Sequence, residues 1–361
     1  MAGQERLKTD VMEKDLCSGC GMCVGLCPYI KAVRDRVKVI HPCGLEDGTC
    51  YSVCPKTNLD MNDLDNFVFK GPRQDQALGV YSAIYYARAA GGKAGGAQYG
   101  GAATGLMAFA LDSGLVDGAV LAGGGALDPG PVYAATVREG MAAAGSKYTA
   151  VPALAALDRA VRDGAGKIGL VGRPCQGEAV RKTQQGCHSR AHDDREGAVR
   201  LSIGLFCFWS LDPGFYDYLA EKAGGEEITR VDIPVEGLRV TTPGGAVPRP
   251  VEEIRKYIKE SCHACPDCTS EWADLSVGST ELDPRYNTLV VRTDVGKRLL
   301  EEAVAKGVVE IKPYPPERLP ILRKAALNKK MRVLQGEGKP PYLKLSGEYM
   351  AEIRKQWEVL G

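Results

Sequence analysis

Almost no net charge separates the acidic and basic residues of this chain. Forty-six Lys and Arg stand against 45 Asp and Glu, a formal net charge of +1 over 361 residues. That balance leaves no basic excess to drive nucleic-acid binding, and no block of like charge marks a tail. Long unbroken apolar runs are missing too. The longest, GLMAFALDSGLVDGAVLAGGGAL, is interrupted by Asp112 and Asp117 and is rich in glycine, so it reads as a helix and then a buried strand, with no transmembrane segment. The opening MAGQERLKTDVMEKD has no apolar core of a signal peptide, and a cytoplasmic protein is expected. Histidine is scarce: His41, His188, His192 and His263 form no H-x-x-H or H-E-x-x-H set. No Ser/His/Asp signature or paired-carboxylate pattern emerges either.

What the chain does have is cysteine. Thirteen in a reducing compartment point toward metal rather than disulfides. Seven fall between Cys17 and Cys54; the others are Cys175, Cys187, Cys207, Cys262, Cys265 and Cys268. Cys17, Cys20, Cys23 and Cys27, followed by Pro28, follow C-x2-C-x2-C-x3-C-P, the bacterial ferredoxin run in which three cysteines hold one [4Fe–4S] cluster and the fourth crosses to a second. A structural zinc site instead pairs two short knuckles and closes at four ligands. The second run is incomplete, with Asp47 where a regular half carries cysteine. Cys54 completes the first cluster with Cys17, Cys20 and Cys23. Cys27, Cys43 and Cys50 are left for the second, whose fourth position falls to Asp47, another oxygen ligand or nothing. A [3Fe–4S] cluster and a [4Fe–4S] cluster with an unusual ligand are both open, as is a plain solvated turn at Glu46 and Asp47. Two adjacent clusters form a wire for single electrons.

After Pro55 the segment KTNLDMNDLDNFVFKGPRQDQ reads as a polar linker. Beyond it, apolar strands alternate with amphipathic helices: a strand in GVYSAIYYARA, a glycine-rich loop, a helix over 102–113, and strands over 117–121 and 167–171. A further helix begins near Gln176, and another strand ends at Cys207. The pattern predicts an α/β core with a mixed sheet behind an N-terminal ferredoxin-like α+β module. The domains expected are residues 1–70, 71–335 and a C-terminal helix in 336–361 that docks a partner. Glycines entering a helix suit a phosphate-bearing ligand, although they also suit a loop that binds nothing. No G-x-G-x-x-G strand–turn–helix unit is present, so no Rossmann dinucleotide site is indicated. Cys175 lies at a strand-to-helix junction, where open sheets place functional groups. Cys262 and Cys265 with two strand-end cysteines make four soft ligands. Zinc fits that count, and a third iron–sulfur cluster fits a place beside an electron wire. Cys268 could compete as a ligand or be a core residue, while Cys187, in a polar loop, reads as an inert thiol.

GGAATGLMAFALDSGLVDGAV, GSKY at Gly145–Tyr148, GRPCQGEAVRK, IGLFC, CHACPDCTSEWADLSVGST and YNTLVVRT, in that order, resemble the family of coenzyme F420 hydrogenase/dehydrogenase beta subunits. Its members include the input subunit of F420H2 dehydrogenase and the beta subunit of F420-dependent formate dehydrogenase. The resemblance implies an FAD in the main body with an iron–sulfur cluster nearby, held by Cys175, Cys207, Cys262 and Cys265. It implies flavin contacts from Gln98, Gly100, Gly101 and Thr104, from Ser146, Lys147 and Tyr148, and from Asp274, Ser276 and Gly278. The activity implied is electron transfer between coenzyme F420, a soluble hydride carrier, and the redox partner subunits of a larger complex. Alternatives are a non-catalytic electron-transfer subunit and a related flavoenzyme using NAD(P)H or another organic substrate. The chain departs from the family pattern at Cys268 and in the incomplete second ferredoxin run.

Overall fold

The computed structural model describes residues 3–46, 48–92, 97–186, 194–234, 236–280, 283–335 and 340–360. The N-terminal cysteines lie in loops, and Cys50 in the short helix Thr49–Ser52, around a short antiparallel hairpin, β1 (Ile30–Val33) and β2 (Arg36–Val39), with Ile30 opposite Val39. Only Ile30 and Val37 turn fully inward. They pack with Leu7, Val11, Cys23, Cys50 and Cys54 into a small apolar core.

The expected polar linker is not one. It contains a two-residue strand, β3 (Leu59–Asp60), and a helix, Met61–Phe69. The Asp60 carboxylate caps that helix by accepting from the amides of Asn62 and Asp63, and Lys70 closes it in a left-handed conformation. The helix buries Met61, Leu64 and Asp65. One of its three anchors is a carboxylate, so apolar periodicity gives little sign of it.

The main body is an eight-stranded sheet. Its strands are β4 (Ala83–Ala89), β5 (Gly118–Gly124), β6 (Pro129–Ala134), β7 (Ile168–Gly172) and β8 (Val199–Leu205). Next in the chain comes a separate three-stranded sheet of β9 (Arg230–Asp232), β10 (Leu238–Thr242) and β11 (Gly245–Arg249). Strands β12 (Leu275–Ser279), β13 (Asn287–Val291) and β14 (Val309–Pro313) complete the large one, in the order β14-β4-β13-β12-β8-β7-β5-β6. The centre β12-β8-β7-β5 is parallel and the outer pairs are antiparallel. This is the mixed α/β sheet that the sequence predicts. Strand and helix limits differ from the expected ones by only a few residues; the helix after β7 begins at Pro174, where a proline costs no hydrogen bond.

Helices Ala102–Asp112 and Asp294–Ala305 bury Leu106, Met107, Leu299 and Leu300 against the sheet in one core. A second core joins Leu154, Leu157, Ile168, Leu170 and Val180 to Cys20, Met22 and Val53. The cysteine-rich segment and the main body thus share one apolar interior. Gly21, at φ +91°, lies so close to Pro152 that an added Cβ would sit 2.6 Å from its carbonyl oxygen. The chain's last described segment also folds back: β15 (Leu343–Lys344) pairs in parallel with β3, and helix Gly347–Leu360 buries Ile353 against Ala326 and Leu327 of helix Leu319–Gln335. Beneath this junction Arg73 forks onto Asp65 (2.6 and 2.9 Å) and reaches Glu271 (2.7 Å), which also pairs with Lys330. Among the described residues no helix is long and apolar enough to cross a membrane.

Candidate functional site

A cavity of about 630 Å³ opens on the sheet. Strand residues Leu121, Val171, Leu205 and Val277 wall it, with the turns that follow β7 and β8. Gly101, at φ +68°, caps helix Ala102–Asp112, whose first turn presents Ala103 and Thr104 to the cavity. The Ala102 amide is taken by the Asn287 side chain at 3.0 Å. Seven of the ten residues expected at a flavin line this space: Gln98, Gly101, Thr104, Ser146, Lys147, Tyr148 and Gly278.

Several of these are held by one polar network. Gln98 donates to the Val231 carbonyl (2.6 Å), while Tyr148 donates to Asp232 (3.1 Å) and accepts from the Ile233 amide (3.1 Å). Burial, and then the Asp232 charge, push the Tyr148 phenol well above its ordinary pKa. Lys147 sits over the carbonyls of Ala143, Ala144 and Gly145, the nearest at 3.1 Å, and burial pulls its pKa down.

The other three expected residues lie outside the cavity lining. Asp274 accepts from the Ser202 amide (2.7 Å), Thr293 (2.7 Å) and Arg181 (3.0 Å). Ser276 accepts from Arg292 at 2.6 Å and donates to the Ser270 carbonyl. Gly100 is a close-approach glycine, since an added Cβ would sit 2.8 Å from the Ala87 carbonyl. Gly278 combines both situations: it faces the cavity and leaves no space for a Cβ against Phe206.

Cys207 is in the cavity wall. Burial pushes its thiol up to about 12 against the pull of Lys329, with Cys262 and Cys175 close enough to raise it further. Cys262 accepts from the Ser210 amide at 3.2 Å. Burial works against the charge of Lys329, while the sulfurs of Cys265, Cys207, Cys268 and Cys262, once ionised, raise its pKa, and its ammonium donates to the Cys207 and Asp267 carbonyls. Cys268 is itself buried and near Cys207, and burial raises it to about 12.

The N-terminal thiols form two sets. Burial raises Cys20, followed by its neighbours Cys54, Cys175 and Cys17; burial also raises Cys23, followed by Cys20, Cys54 and Cys17 and, last, by Cys50 of the other set. Cys54 rises to about 11 through burial, opposed by Lys182, whose ammonium donates to the Cys54 carbonyl at 2.6 Å. Cys50 rises to about 11 through burial, then through Cys27 and Cys43. Cys17, Cys20, Cys23 and Cys54 are therefore one neighbourhood, and Cys27, Cys43 and Cys50 another. Asp47, Cys187, His188, His192 and residues 93–96 of the glycine-rich loop lie outside the described residues.

Arg173 stands between the inner N-terminal set and the main-body set. Burial weighs against its charge, but the thiols of Cys175, Cys207, Cys262 and Cys20 hold its pKa above the ordinary value. It donates to Ser210 (2.7 Å) and to the carbonyls of Val151 (3.2 Å) and Gly19 (3.5 Å). Sequence reasoning missed Arg173, Lys182 and Lys329. Only the place of Arg173 two residues before Cys175 offered a signal. Buried thiols that burial keeps protonated are soft donors that a metal cation would ionise. Among the described residues no three His, Cys, Asp or Glu side chains converge tightly enough for a single metal ion.

Two regions of the chain match the description of the coenzyme F420 hydrogenase/dehydrogenase beta subunit: its N-terminal part over residues 84–158 and its C-terminal part over 165–317. The coenzyme F420 hydrogenase subunit beta of Methanothermobacter thermautotrophicus is 35% identical over 233 residues, 62% of this chain and 82% of that protein. A component of the F420H2 dehydrogenase of Methanosarcina mazei is 26% identical over 331 residues, 87% of this chain and 89% of its own length. Among solved structures, a chain of the F420-reducing [NiFe] hydrogenase complex from Methanosarcina barkeri is similar with a TM-score of 0.67 and 33% identity, covering 72% of this chain and 91% of that one. The chain belongs to the family of coenzyme F420 hydrogenase/dehydrogenase beta subunits.

Proposed function

We propose that this chain is the flavin- and iron–sulfur-carrying subunit of an F420-linked oxidoreductase, exchanging a hydride with coenzyme F420 and single electrons with a partner redox complex. One observation carries the reading: seven expected flavin residues line a single cavity whose wall includes Cys207. From Cys207 the thiols continue through Cys175 to Cys20.

The volume suits a cofactor site, which commonly spans about 300–1,000 Å³. The first turn of helix Ala102–Asp112 faces the cavity at Ala103 and Thr104, and a helix start suits a phosphate. Lys147 adds a positive charge to the same wall. Gln98 and Tyr148 hold the polar rim in place, while Met107, Leu121, Val171 and Val277 give an apolar lining that excludes water. An FAD bound there supplies hydride acceptance and the division of an electron pair into single electrons.

Cys175, Cys207, Cys262 and Cys265 supply the ligands of the main-body [4Fe–4S] cluster, with Cys268 next to them. Cys17, Cys20, Cys23 and Cys54 hold a second. Cys27, Cys43 and Cys50 hold the third, as [3Fe–4S] or with a non-cysteine ligand. The C-x2-C-x2-C-x3-C-P spacing from Cys17 to Pro28 supports clusters over zinc. Asp274, Ser276 and Gly100 act on this site through the backbone they fix.

Anaerobic purification followed by iron, sulfide and flavin analysis is the test. About 12 iron atoms per chain are expected, or about 11 with one three-iron cluster. Reduced F420 should bleach the flavin within seconds, well ahead of NADH and NADPH. Stoichiometric zinc without a third cluster signal removes the main-body assignment. Rapid bleaching by NADH alone overturns the carrier, and no bleaching by any carrier leaves a non-catalytic electron-transfer subunit.

A further inference from the structure

The hairpin between Cys27 and Cys43 has an exposed basic face, bordered at Arg36 and Lys38 by Glu13, Asp15 and Glu260. Of its eight residues only Ile30, Val37 and part of Val39 turn inward. Lys31, Arg34, Arg36 and Lys38 are all exposed. Asp35, in the turn, is 3% exposed and paired with Lys259. Arg36 reaches Asp15 and Asp35 only at 3.9 and 3.8 Å, and the other three cations make no ion pair among the described residues. Between residues 28 and 46 the sole exposed described carboxylate is Glu46. A chain with a net charge of +1 has therefore gathered four exposed cations on one short ribbon.

Apolar side chains share that ribbon and the loop after it. Tyr29, Val33, Ile40 and Leu45 are 37, 45, 61 and 54% exposed. They are four of the nine large apolar side chains that are exposed among the described residues, and the Tyr29 ring lies 4.8 Å from the His41 ring. Cys27 and Cys43 lie in sequence on either side of the hairpin, half-buried, where the inner thiols Cys20, Cys23 and Cys54 are buried.

We propose that the outer face of this hairpin, with Tyr29 and Ile40, is the docking surface for an acidic one-electron redox protein. The inference rests on the reading that the N-terminal thiols carry clusters. The partner it fits bears carboxylates around its own redox centre, complementary to Lys31, Arg34, Arg36 and Lys38, and a small apolar spot for Tyr29 and Ile40. Charge complementarity of this kind accelerates encounter, and apolar contact holds the complex briefly. Transfer makes and breaks no bond: one electron leaves the thiol-held group, which is oxidised, and the partner's centre is reduced. The direction reverses when the partner is the donor.

The test uses the full-length protein with its cofactors, reduced anaerobically, and a bacterial two-cluster ferredoxin of net negative charge as the probe. Stopped-flow reduction of the ferredoxin should slow by about tenfold or more as ionic strength rises from about 20 to 300 mM. The variant carrying Lys31→Glu, Arg34→Glu and Lys38→Glu should lose about tenfold at low salt and lose its salt dependence. The corresponding triple Gln variant should fall between the two. Reduction of a neutral nitroimidazole should be the same in all three proteins, with iron content unchanged. Ferredoxin rates that ignore both salt and charge reversal, while the nitroimidazole is still reduced, overturn the docking surface. So does a salt-insensitive dimer that the charge reversals dissociate, which would assign the face to a second copy of this chain. Failure of the wild type to reduce the nitroimidazole instead removes the reading of the N-terminal thiols on which the inference stands.

Discussion

The two N-terminal thiol sets come from one run of sequence yet differ in burial: Cys20, Cys23 and Cys54 are buried and Cys17 half-buried in one, while Cys27 and Cys43 are half-buried and only Cys50 is buried in the other. The inner set, Cys17, Cys20, Cys23 and Cys54, is wedged between the hairpin core and the main body, with Lys182 and Lys56 near Cys54 and Arg173 near Cys20. The outer set, Cys27, Cys43 and Cys50, has half-buried members and basic side chains that point to solvent. Cations buried beside the inner set stabilise added negative charge far more than exposed ones, which water screens. On the proposed cluster assignment, the same thiol chemistry would serve cohesion inside and access outside.

The sharpest test of that contrast is Cys20→Ser. Iron should fall by about 4 atoms per chain, and delivery to a protein acceptor should stop while flavin reduction by F420 persists. Loss of flavin reduction as well would mean that the thiol sets and the cavity are not in series. Because Cys20 is also part of the second core, the thermal midpoint should drop.

Cys43→Ser should remove about 3–4 iron atoms and slow delivery while moving the thermal midpoint by much less. A fall equal to that of Cys20→Ser would erase the distinction between a cohesive set and an accessible one.

Glu178 gives the inner side a pH signature. It is 1% exposed, and neither carboxylate oxygen has a hydrogen-bond partner among the described residues. Burial pushes its carboxyl up to about 7, with Lys56 pulling it back. Between the unfolded value, about 4.3, and 7, the folded chain keeps a proton that the unfolded chain has lost. Stability therefore falls as pH rises through this window and is lower by about 4 kcal/mol above it. Glu178→Gln should raise the thermal midpoint relative to the parent at pH 8 and lose that advantage near pH 4.5. An equal gain at both values would show that the carboxylate finds a partner when ionised.

The smallest expected effect belongs to the cavity. Lys147→Met should weaken flavin retention by about tenfold, the worth of one charge-assisted contact, measured by FAD titration of the apoprotein. No change would return Lys147 to its present role over the carbonyls of Ala143 to Gly145.

The sequence assigns the thiols to sets because short cysteine gaps constrain which sulfurs can meet, and the proposed clusters keep that assignment. The parallel strands around Cys175 and Cys207 were readable because continuous apolar runs mark strands buried on both faces. Helix Met61–Phe69 was not, since Asp65 anchors it to Arg73 and Trp272 through charge and hydrogen bonds. Asp274 and Ser276 sit in a stretch that resembles a cofactor motif, but position in a motif does not say which way a side chain turns. Here both turn to Arg181 and Arg292. Buried lysines such as Lys182 and Lys329 look in sequence like any surface lysine of an amphipathic helix.

The pairing of β3 with β15 has a consequence for how the protein is made. Leu59 and Leu343 are partners in one strand pair, and Lys56 donates to Tyr342 across the same join at 2.8 Å. These contacts cannot form until the ribosome has released Tyr342 and Leu343, long after every cysteine has emerged. The partner of Leu59 thus arrives only once Leu343 has been made, so this join closes late relative to the folding of the cysteine-rich segment around its own core.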